Sequence, residues 1–214
     1  MNWLTRLLPG DHPAENLDPA LRDTLEQWRQ ATRPEPTQTH DDTRYVVVNT
    51  EATGLDLSRD RLISVAAIAV DRCLLNPRDC YQQSLEPDPA KALVALLEFI
   101  GKSPVVVFNA GFNKQALLNA FDKHLGFEPE LEWLDMYWIL PSLFNDRHAA
   151  PARLLEWMEA MDVETFQRND ALGDAYAITQ LFLAGLARAS LRSHRSIASL
   201  VELEATRKRL QRSV

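Results

Sequence analysis

The sequence predicts an α/β fold with a mixed sheet and flanking helices, and three observations support this prediction. Tyr45–Val48 is a continuous apolar run, typical of a strand buried on both faces. Two further strand candidates, 62–70 and 80–85, follow it without an intervening helix. Beyond them, strands and helices alternate before helices dominate: helix 89–100, strand 105–108, helix 113–125, strand 133–135, then helices 136–143, 151–160 and 171–188.

The composition narrows the class of protein. With 214 residues, of which 46% are hydrophobic, the chain can bury one core, and its two cysteines exclude a disulfide scaffold. A net charge of −7 argues against a surface that holds nucleic acid by charge alone. No apolar run approaches the ~20 residues of a membrane span, and the beginning MNWLTRLLPG is unlike a signal peptide. We therefore expect a soluble cytoplasmic protein without a membrane partner.

The chain divides into three predicted parts: an N-terminal helical extension with a linker (1–43), a core domain (44–188) and a basic C-terminal helix (189–214). The first part has a helix start at Asp18-Pro19. An apolar group ahead of that start either covers a sheet face or forms a dimer element. Its members are Trp3, Leu4, Leu7 and Leu8.

The C-terminal part carries a charge opposite to that of the whole chain. Residues 188–214 contain seven Lys/Arg and two Glu, a balance of +5, which leaves −12 for the rest of the chain. This segment either packs on the domain with a solvated basic end or forms a contact surface for nucleic acid, an acidic partner or another subunit.

Three segments place polar residues where strands end and helices begin. They are NTEATGL (49–55), FNAGFNKQALL (108–118) and NDALGDA (169–175). Strand ends and helix starts of an open α/β sheet converge on one crevice, so we expect these segments to form the walls of a single site.

The three segments resemble the motifs of the DnaQ-like 3′–5′ exonuclease family, which read approximately DTETTGL, HNAxFDxxFL and HxAxxDA. The resemblance covers residues 44–188, about two thirds of the chain. It implies a ribonuclease H-like, five-stranded mixed sheet in which the second strand is antiparallel to the others.

The resemblance also implies a catalytic set. The family uses four carboxylates to hold two divalent ions, Mg²⁺ or Mn²⁺, and a histidine that accepts a proton from the attacking water. The corresponding positions in this sequence are Asn49, Glu51, Asn113, Asn169 (the histidine position) and Asp174. Three of the five are therefore asparagine.

These replacements predict impaired metal chemistry. Glu51 and Asp174 supply two negative charges against the four positive charges of a metal pair, and an asparagine carbonyl binds a cation only as a neutral dipole. We therefore expect a single weakly held ion at most, or none. Asn169 cannot accept a proton near neutral pH, which removes a further ~10²–10⁴-fold of rate.

Binding residues are better retained than catalytic ones. The resemblance assigns substrate contacts to Thr53, Gly54, Leu55, Asn109 and Phe112, although Leu55 and Phe112 fit a core position equally well. The leading hypothesis is an impaired or inactive exonuclease-like domain that binds a nucleotide, a nucleic-acid 3′ end or a protein. One alternative is an active metal-dependent 3′–5′ exonuclease on DNA or RNA with a reduced metal site. Another is a structural subunit that binds a protein through its terminal helices.

Several residues also have purely structural interpretations. Asn113 fits a helix cap, and Asp135 fits a hydrogen-bond acceptor at a strand end. Four histidines stand in polar or terminal contexts, where we expect them to be solvated. They are His12, His40, His124 and His194.

Overall fold

A five-stranded mixed β-sheet forms the centre of the structure, a computed structural model that describes residues 17–212. The strands are β1 (Arg44–Ala52), β2 (Leu62–Asp71), β3 (Leu74–Ser84), β4 (Val105–Val107) and β5 (Trp133–Asp135). Their order is β3-β2-β1-β4-β5. Strand β2 is antiparallel to both of its neighbours, whereas β1, β4 and β5 are parallel. The predicted mixed sheet with an antiparallel second strand is confirmed.

Seven α-helices and one short 3-10 helix, His40–Asp42, lie within the described residues. The α-helices are α1 (Pro19–Gln30), α2 (Pro89–Ile100), α3 (Asn113–Leu125), α4 (Met136–Leu143), α5 (Leu154–Met161), α6 (Ala171–Leu191) and α7 (Ile197–Arg212). Among these helices, none has both the length and the apolar character needed to cross a membrane.

Strand β1 is covered by helices on both faces. Val46 and Val48 pack into a core shared with α1, α2 and α3, whereas Tyr45 and Val47 pack into a second core shared with α4, α6 and α7. Successive side chains of a strand point to opposite faces, so burial on both faces requires an uninterrupted apolar run. This arrangement explains why β1 lacks polar alternation.

The β2–β3 hairpin differs from its prediction. Strand β3 begins at Leu74 rather than near residue 80, because a two-residue turn reverses the chain immediately after β2. Arg72 and Cys73 both have positive φ, 51° and 58°, as a type I′ turn requires. Neither is the Asn or Gly that usually marks such a turn. Pro77 is tolerated because β3 is an edge strand.

Helix α1 docks on the domain through Trp28. Asp18 caps the helix by accepting a hydrogen bond from the Ala20 amide at 2.8 Å. The Trp28 indole N–H donates to the Gly101 carbonyl at 2.6 Å, and the Lys102 ammonium lies 3.2 Å from the centroid of the indole ring. The apolar group at Trp3, Leu4, Leu7 and Leu8 lies outside the described residues.

Helix α7 is joined to the sheet by a buried carboxylate. Ile197 and Leu200 are buried beside α4, and the Glu204 side chain accepts a hydrogen bond from the Asp135 amide of β5 at 2.8 Å. Lys208, one turn along α7, pairs with the same carboxylate. A buried carboxylate is stable only when it is paired and hydrogen-bonded, and Glu204 is both.

The prediction that His40 is solvated is wrong, because its side chain is buried. Its Nδ1 lies 2.7 Å from the Tyr45 hydroxyl, and its Nε2 lies 3.1 Å from the His194 carbonyl. The Tyr45 hydroxyl donates to Nδ1 and Nε2–H donates to the carbonyl, so the neutral ring satisfies both contacts. Burial lowers the pKa of His40 below its usual value of 6.5. The sequence around His40 is polar, but the fold places the ring between the linker, β1 and the α6–α7 turn.

We expect His40→Ala to lower the free energy of unfolding by about 3 kcal/mol at neutral pH, because it leaves the Tyr45 hydroxyl without its acceptor. The pKa of His40 is lowered in the folded state, so its stabilising contribution is complete above 6.5 and is lost as the pH falls below that value. The stability difference between wild type and His40→Ala should therefore shrink between about pH 7.5 and about pH 5. Urea unfolding of both proteins measures it, and a difference that stays constant or grows would contradict the assignment.

Candidate functional site

The first motif lies at the carboxyl end of β1, beside the end of the parallel strand β4. The side-chain Nδ2 of Asn49 donates a hydrogen bond to the Ala171 carbonyl in the first turn of α6, at 3.4 Å. Glu51 is half-buried and accepts a hydrogen bond from the Ser64 hydroxyl of β2 at 3.0 Å. Asn49 therefore contacts the third motif, whereas Glu51 contacts the neighbouring strand.

Asn113 joins the first motif to the second. Its side-chain oxygen accepts hydrogen bonds from the Thr50 hydroxyl at 2.6 Å and the Thr50 amide at 3.2 Å, while its Nδ2 donates to the Phe108 carbonyl at 2.7 Å. The side chain is buried, so both ends of its amide are committed to the protein. The predicted helix cap is absent, since helix α3 has no side-chain cap there. An aspartate at 113 would place a carboxylate oxygen against the Phe108 carbonyl, which only a donor can satisfy.

Asp174 forms an ion pair rather than standing free. The Arg168 Nε donates to the Asp174 carboxylate at 3.1 Å, and the aspartate side chain is only 18% exposed. Burial raises the pKa of Asp174, and the adjacent Arg168 guanidinium counteracts part of that rise. Arg168 directly precedes the third motif, but the motif pattern assigns it no role.

The start of α6 shows why Arg168 can reach Asp174. A Cβ on Gly173 would lie 1.8 Å from the Gln167 carbonyl oxygen, so the chain before α6 passes directly over the helix at this glycine. The Thr165 hydroxyl donates to the Gly173 carbonyl at 2.5 Å and holds the crossing. Asn169 follows with a left-handed φ of 54° and an exposed side chain, and Asp170 caps the helix.

The loop at Thr53, Gly54 and Leu55 is closed by one carboxylate. Asp60 accepts hydrogen bonds from the Thr53 hydroxyl and the Asp56 amide, each at 2.8 Å. Gly54 allows this close approach, because a Cβ there would lie 2.5 Å from an Asp60 oxygen. Leu55 is 84% exposed, which excludes the core position that the sequence left open.

The two second-motif residues to which the resemblance assigns substrate contacts follow β4. Asn109 is exposed with a left-handed φ of 63°, and Phe112 is half-buried. The Asp135 carboxylate accepts hydrogen bonds from the Asn109 and Ala110 amides, both at 2.9 Å, as well as from Tyr137. The prediction that Asp135 is a hydrogen-bond acceptor at a strand end is confirmed, and its burial raises its pKa.

A cleft of about 350 Å³ opens beside Gly54, between the 53–61 loop and α3. Its wall combines apolar side chains with several basic or amide groups that the motifs do not contain. These are Arg59, Arg61, Asn119, Lys123 and His124. Two of these cations are paired locally, Arg59 with Asp56 and Arg61 with Glu86.

The donor set does not fit a pair of divalent ions. The Asn113 amide is committed to backbone and hydroxyl partners, and Asp174 is paired with a cation. Within residues 17–212, no three His, Cys, Asp or Glu side chains come together as a metal-binding group. Among the acids at these positions in the described chain, Glu51 contacts a neutral hydroxyl rather than a cation, and one carboxylate is a weak site for a hard cation.

Structural comparison places this arrangement among solved folds. No protein-family model matches the chain, and no curated protein matches it in sequence. E. coli Exonuclease I in complex with a dA16 oligonucleotide matches with a TM-score of 0.53 and 15% identity, over 70% of this chain and 42% of that one. The zinc-ion-bound form of an E. coli ExoI–ssDNA complex matches with a TM-score of 0.52 and 16% identity, over 71% and 42%.

This chain has the DnaQ-like 3′–5′ exonuclease fold. The resemblance in the motifs and the sheet order agree on that fold. The chain spans about two fifths of the length of the Exonuclease I chains that it matches. Within this DnaQ-like fold, the first, second and third motifs meet through the Asn49–Ala171 and Thr50–Asn113 contacts.

We expect Gly173→Ala to lower the free energy of unfolding by about 3 kcal/mol or more, because its methyl group would collide with the Gln167 backbone. Gly185→Ala in the same helix is the matched control. Its Cβ would lie 3.5 Å from the nearest atom, so it should be neutral or stabilise by up to about 1 kcal/mol. Thermal or urea unfolding measures both variants. Equal stability of the two would show that the 165–168 segment is not held against α6.

Proposed function

We propose that this chain is a DnaQ-like domain that binds the 3′ end of single-stranded nucleic acid, or a nucleotide, without efficient hydrolysis. The observation that carries the proposal is that the side chains of Asn113 and Asp174 already have partners within the protein. The side-chain amide of Asn113 is hydrogen-bonded to Thr50 and to the Phe108 carbonyl, and Asp174 forms an ion pair with Arg168. Two-metal hydrolysis needs both positions as free carboxylates.

The binding half of the proposal rests on the 53–61 loop. Asp60 holds this loop in one conformation, and Leu55 projects from it with 84% of its surface exposed. An exposed leucine on an ordered loop can insert beside a base, and the adjoining cleft has room for a nucleotide. The wall of this cleft carries both cations, such as Lys123, and the acids Asp60 and Glu86. The Exonuclease I structures with the same fold contain single-stranded oligonucleotides, which supports this ligand class.

A second candidate is a weak metal-dependent 3′–5′ exonuclease. Glu51 supports it, because this carboxylate is half-exposed and contacts only the neutral Ser64 hydroxyl among the hydrogen bonds of the described chain. One Mg²⁺ or Mn²⁺ bound by Glu51 and water would activate a nucleophile less well than a metal pair. Cleavage that disappears in Glu51→Ala would establish this function in place of the first.

Nuclease activity is measured on a 5′-labelled single strand with a free 3′ hydroxyl, in Mg²⁺ and in Mn²⁺. We expect the native chain to release no nucleotides above background. Asn49→Asp, Asn113→Asp and Asn169→His together restore the acids and the base, and adding Arg168→Gln frees Asp174. We expect cleavage at least about a hundredfold faster with the four changes than with the native chain.

Circular dichroism of each variant verifies the fold, because a carboxylate at residue 113 opposes the Phe108 carbonyl. Glu51→Ala in the four-change background is the inactive control. A native chain that cuts as fast as the four-change variant would overturn the proposal.

Binding is tested with two exposed leucines. Leu55→Ala should weaken binding of a single-stranded oligonucleotide about three- to tenfold, because it removes the apolar side chain at the base position. Leu74→Ala is the matched control, since Leu74 is 71% exposed but lies on the edge strand β3. Fluorescence anisotropy measures both dissociation constants. Equal affinity of the two variants would remove the 53–55 loop from the binding site.

A further inference from the structure

Arg168 places a positive charge beside Asp174, a position where the motif resemblance implies a metal ligand. We propose that the Arg168 guanidinium binds a backbone phosphate at the 3′ end, so that this domain holds nucleic acid without a divalent cation. This inference rests on the proposed function and names the group that replaces the metal. The observation behind it is the 3.1 Å contact between Arg168 Nε and the Asp174 carboxylate.

The geometry of the pair leaves the guanidinium able to take a second anion. A guanidinium carries five N–H donors, and the pair uses Nε on a single carboxylate oxygen rather than a two-bond fork. Another nitrogen contacts the Met158 sulfur at 3.4 Å, and sulfur is a weak acceptor. The Arg168 side chain is 36% exposed, so solvent and ligands reach it. A phosphate is a stronger partner for these donors than a thioether.

The position of Arg168 is built into the backbone. The crossing at Gly173, held by Thr165, fixes the segment before α6 against the helix. This backbone crossing does not depend on Asp174, whose carboxylate accepts a single hydrogen bond from the Arg168 side chain. An arginine fixed in advance loses less conformational freedom when it binds than an arginine on a mobile loop.

The charges of the surrounding residues favour an anion more than the family pattern would. The motif positions carry two carboxylates, Glu51 and Asp174, and Arg168 cancels one of them. The resemblance implies four carboxylates at these positions, a set that repels phosphate unless metal ions are present. A divalent ion entering here would have to displace Arg168 from Asp174 and would be repelled by the guanidinium.

The test measures binding of a 5′-fluorescein-labelled thymidylate single strand with a free 3′ hydroxyl, by anisotropy, in EDTA and in Mg²⁺. For the native chain we expect dissociation constants that agree within about twofold in the two conditions, because the bound charge belongs to Arg168. Arg168→Gln should weaken binding about tenfold and reduce the slope of log affinity against log salt by about 0.7. Arg168→Lys should keep the salt slope, because it keeps the charge.

The chain offers a matched control on the same helix. Arg188 is also 36% exposed and pairs with Asp146 at 3.2 Å, but it lies fourteen residues beyond Asp174, about 21 Å along α6. We expect Arg188→Gln to leave oligonucleotide affinity unchanged. Thermal unfolding of the arginine variants separates loss of binding from loss of fold.

Asp174→Asn should change oligonucleotide affinity in opposite directions for phosphate binding by Arg168 and for binding through a metal ion. It releases Arg168 and removes a negative charge, so we expect binding to tighten by about two- to fivefold. A site that depends on a metal ion would lose affinity with the same change. Binding that requires Mg²⁺, or that weakens in Asp174→Asn, would overturn the role of Arg168 and leave the proposed function standing. If the native chain binds no oligonucleotide in either condition, the nucleic-acid binding of the proposed function fails and this inference fails with it.

Discussion

Burial of β1 on both faces is the constraint on which the rest of the structure depends. The strand is central in the sheet, pairs antiparallel with β2 and parallel with β4, and separates two cores that belong to different helices. Its apolar run must end where it leaves those cores, and the next residues are polar. Asn49 and Glu51 therefore lie near the carboxyl end of β1, at the end of the sheet where β4 also ends and α6 begins.

The net charge of the side chains at this end of the sheet is less negative than the motif resemblance implies. Amides take the positions of acids at 49 and 113, and each amide is used to join segments of the fold. The Thr50–Asn113–Phe108 hydrogen bonds connect β1, β4 and α3, which a carboxylate could do only with a bound cation or proton. Asparagine at 113 therefore stabilises the scaffold at a position where the resemblance implies a metal-binding carboxylate. In the third motif, the Arg168–Asp174 ion pair likewise reduces the negative charge.

The terminal segments are part of the same structure in the described residues. Trp28 attaches α1 to the α2 side, and Glu204 attaches α7 to β5 on the other side. His40 joins the linker to the turn before α7 through the Tyr45 hydroxyl and the His194 carbonyl. Buried polar groups of this kind hold elements in register, because each loses its hydrogen bonds if the elements shift. Helices α1 and α7 are thus each held to the domain by a hydrogen bond of a buried side chain.

The sequence by itself determined the motifs and most of the elements, although it did not indicate the true start of β3 at Leu74. Uninterrupted apolar runs, helical periodicity and the order of the three segments predict the mixed sheet, and local caps such as Asp18 fix helix starts. These are local properties, and neighbouring residues are enough to specify them. The residues of the motifs could be named from the sequence for the same reason.

Only the tertiary structure decided how those residues are used. Thr50 and Asn113 are 63 residues apart, and nothing local indicates that one amide satisfies both Thr50 and the Phe108 carbonyl. Arg168 meets Asp174 because the chain crosses α6 at Gly173, a contact that helical spacing does not predict. His40 is buried among groups that are distant along the chain. Whether a polar side chain is free to bind a ligand depends on its partners, and those partners are brought together only by the folded chain.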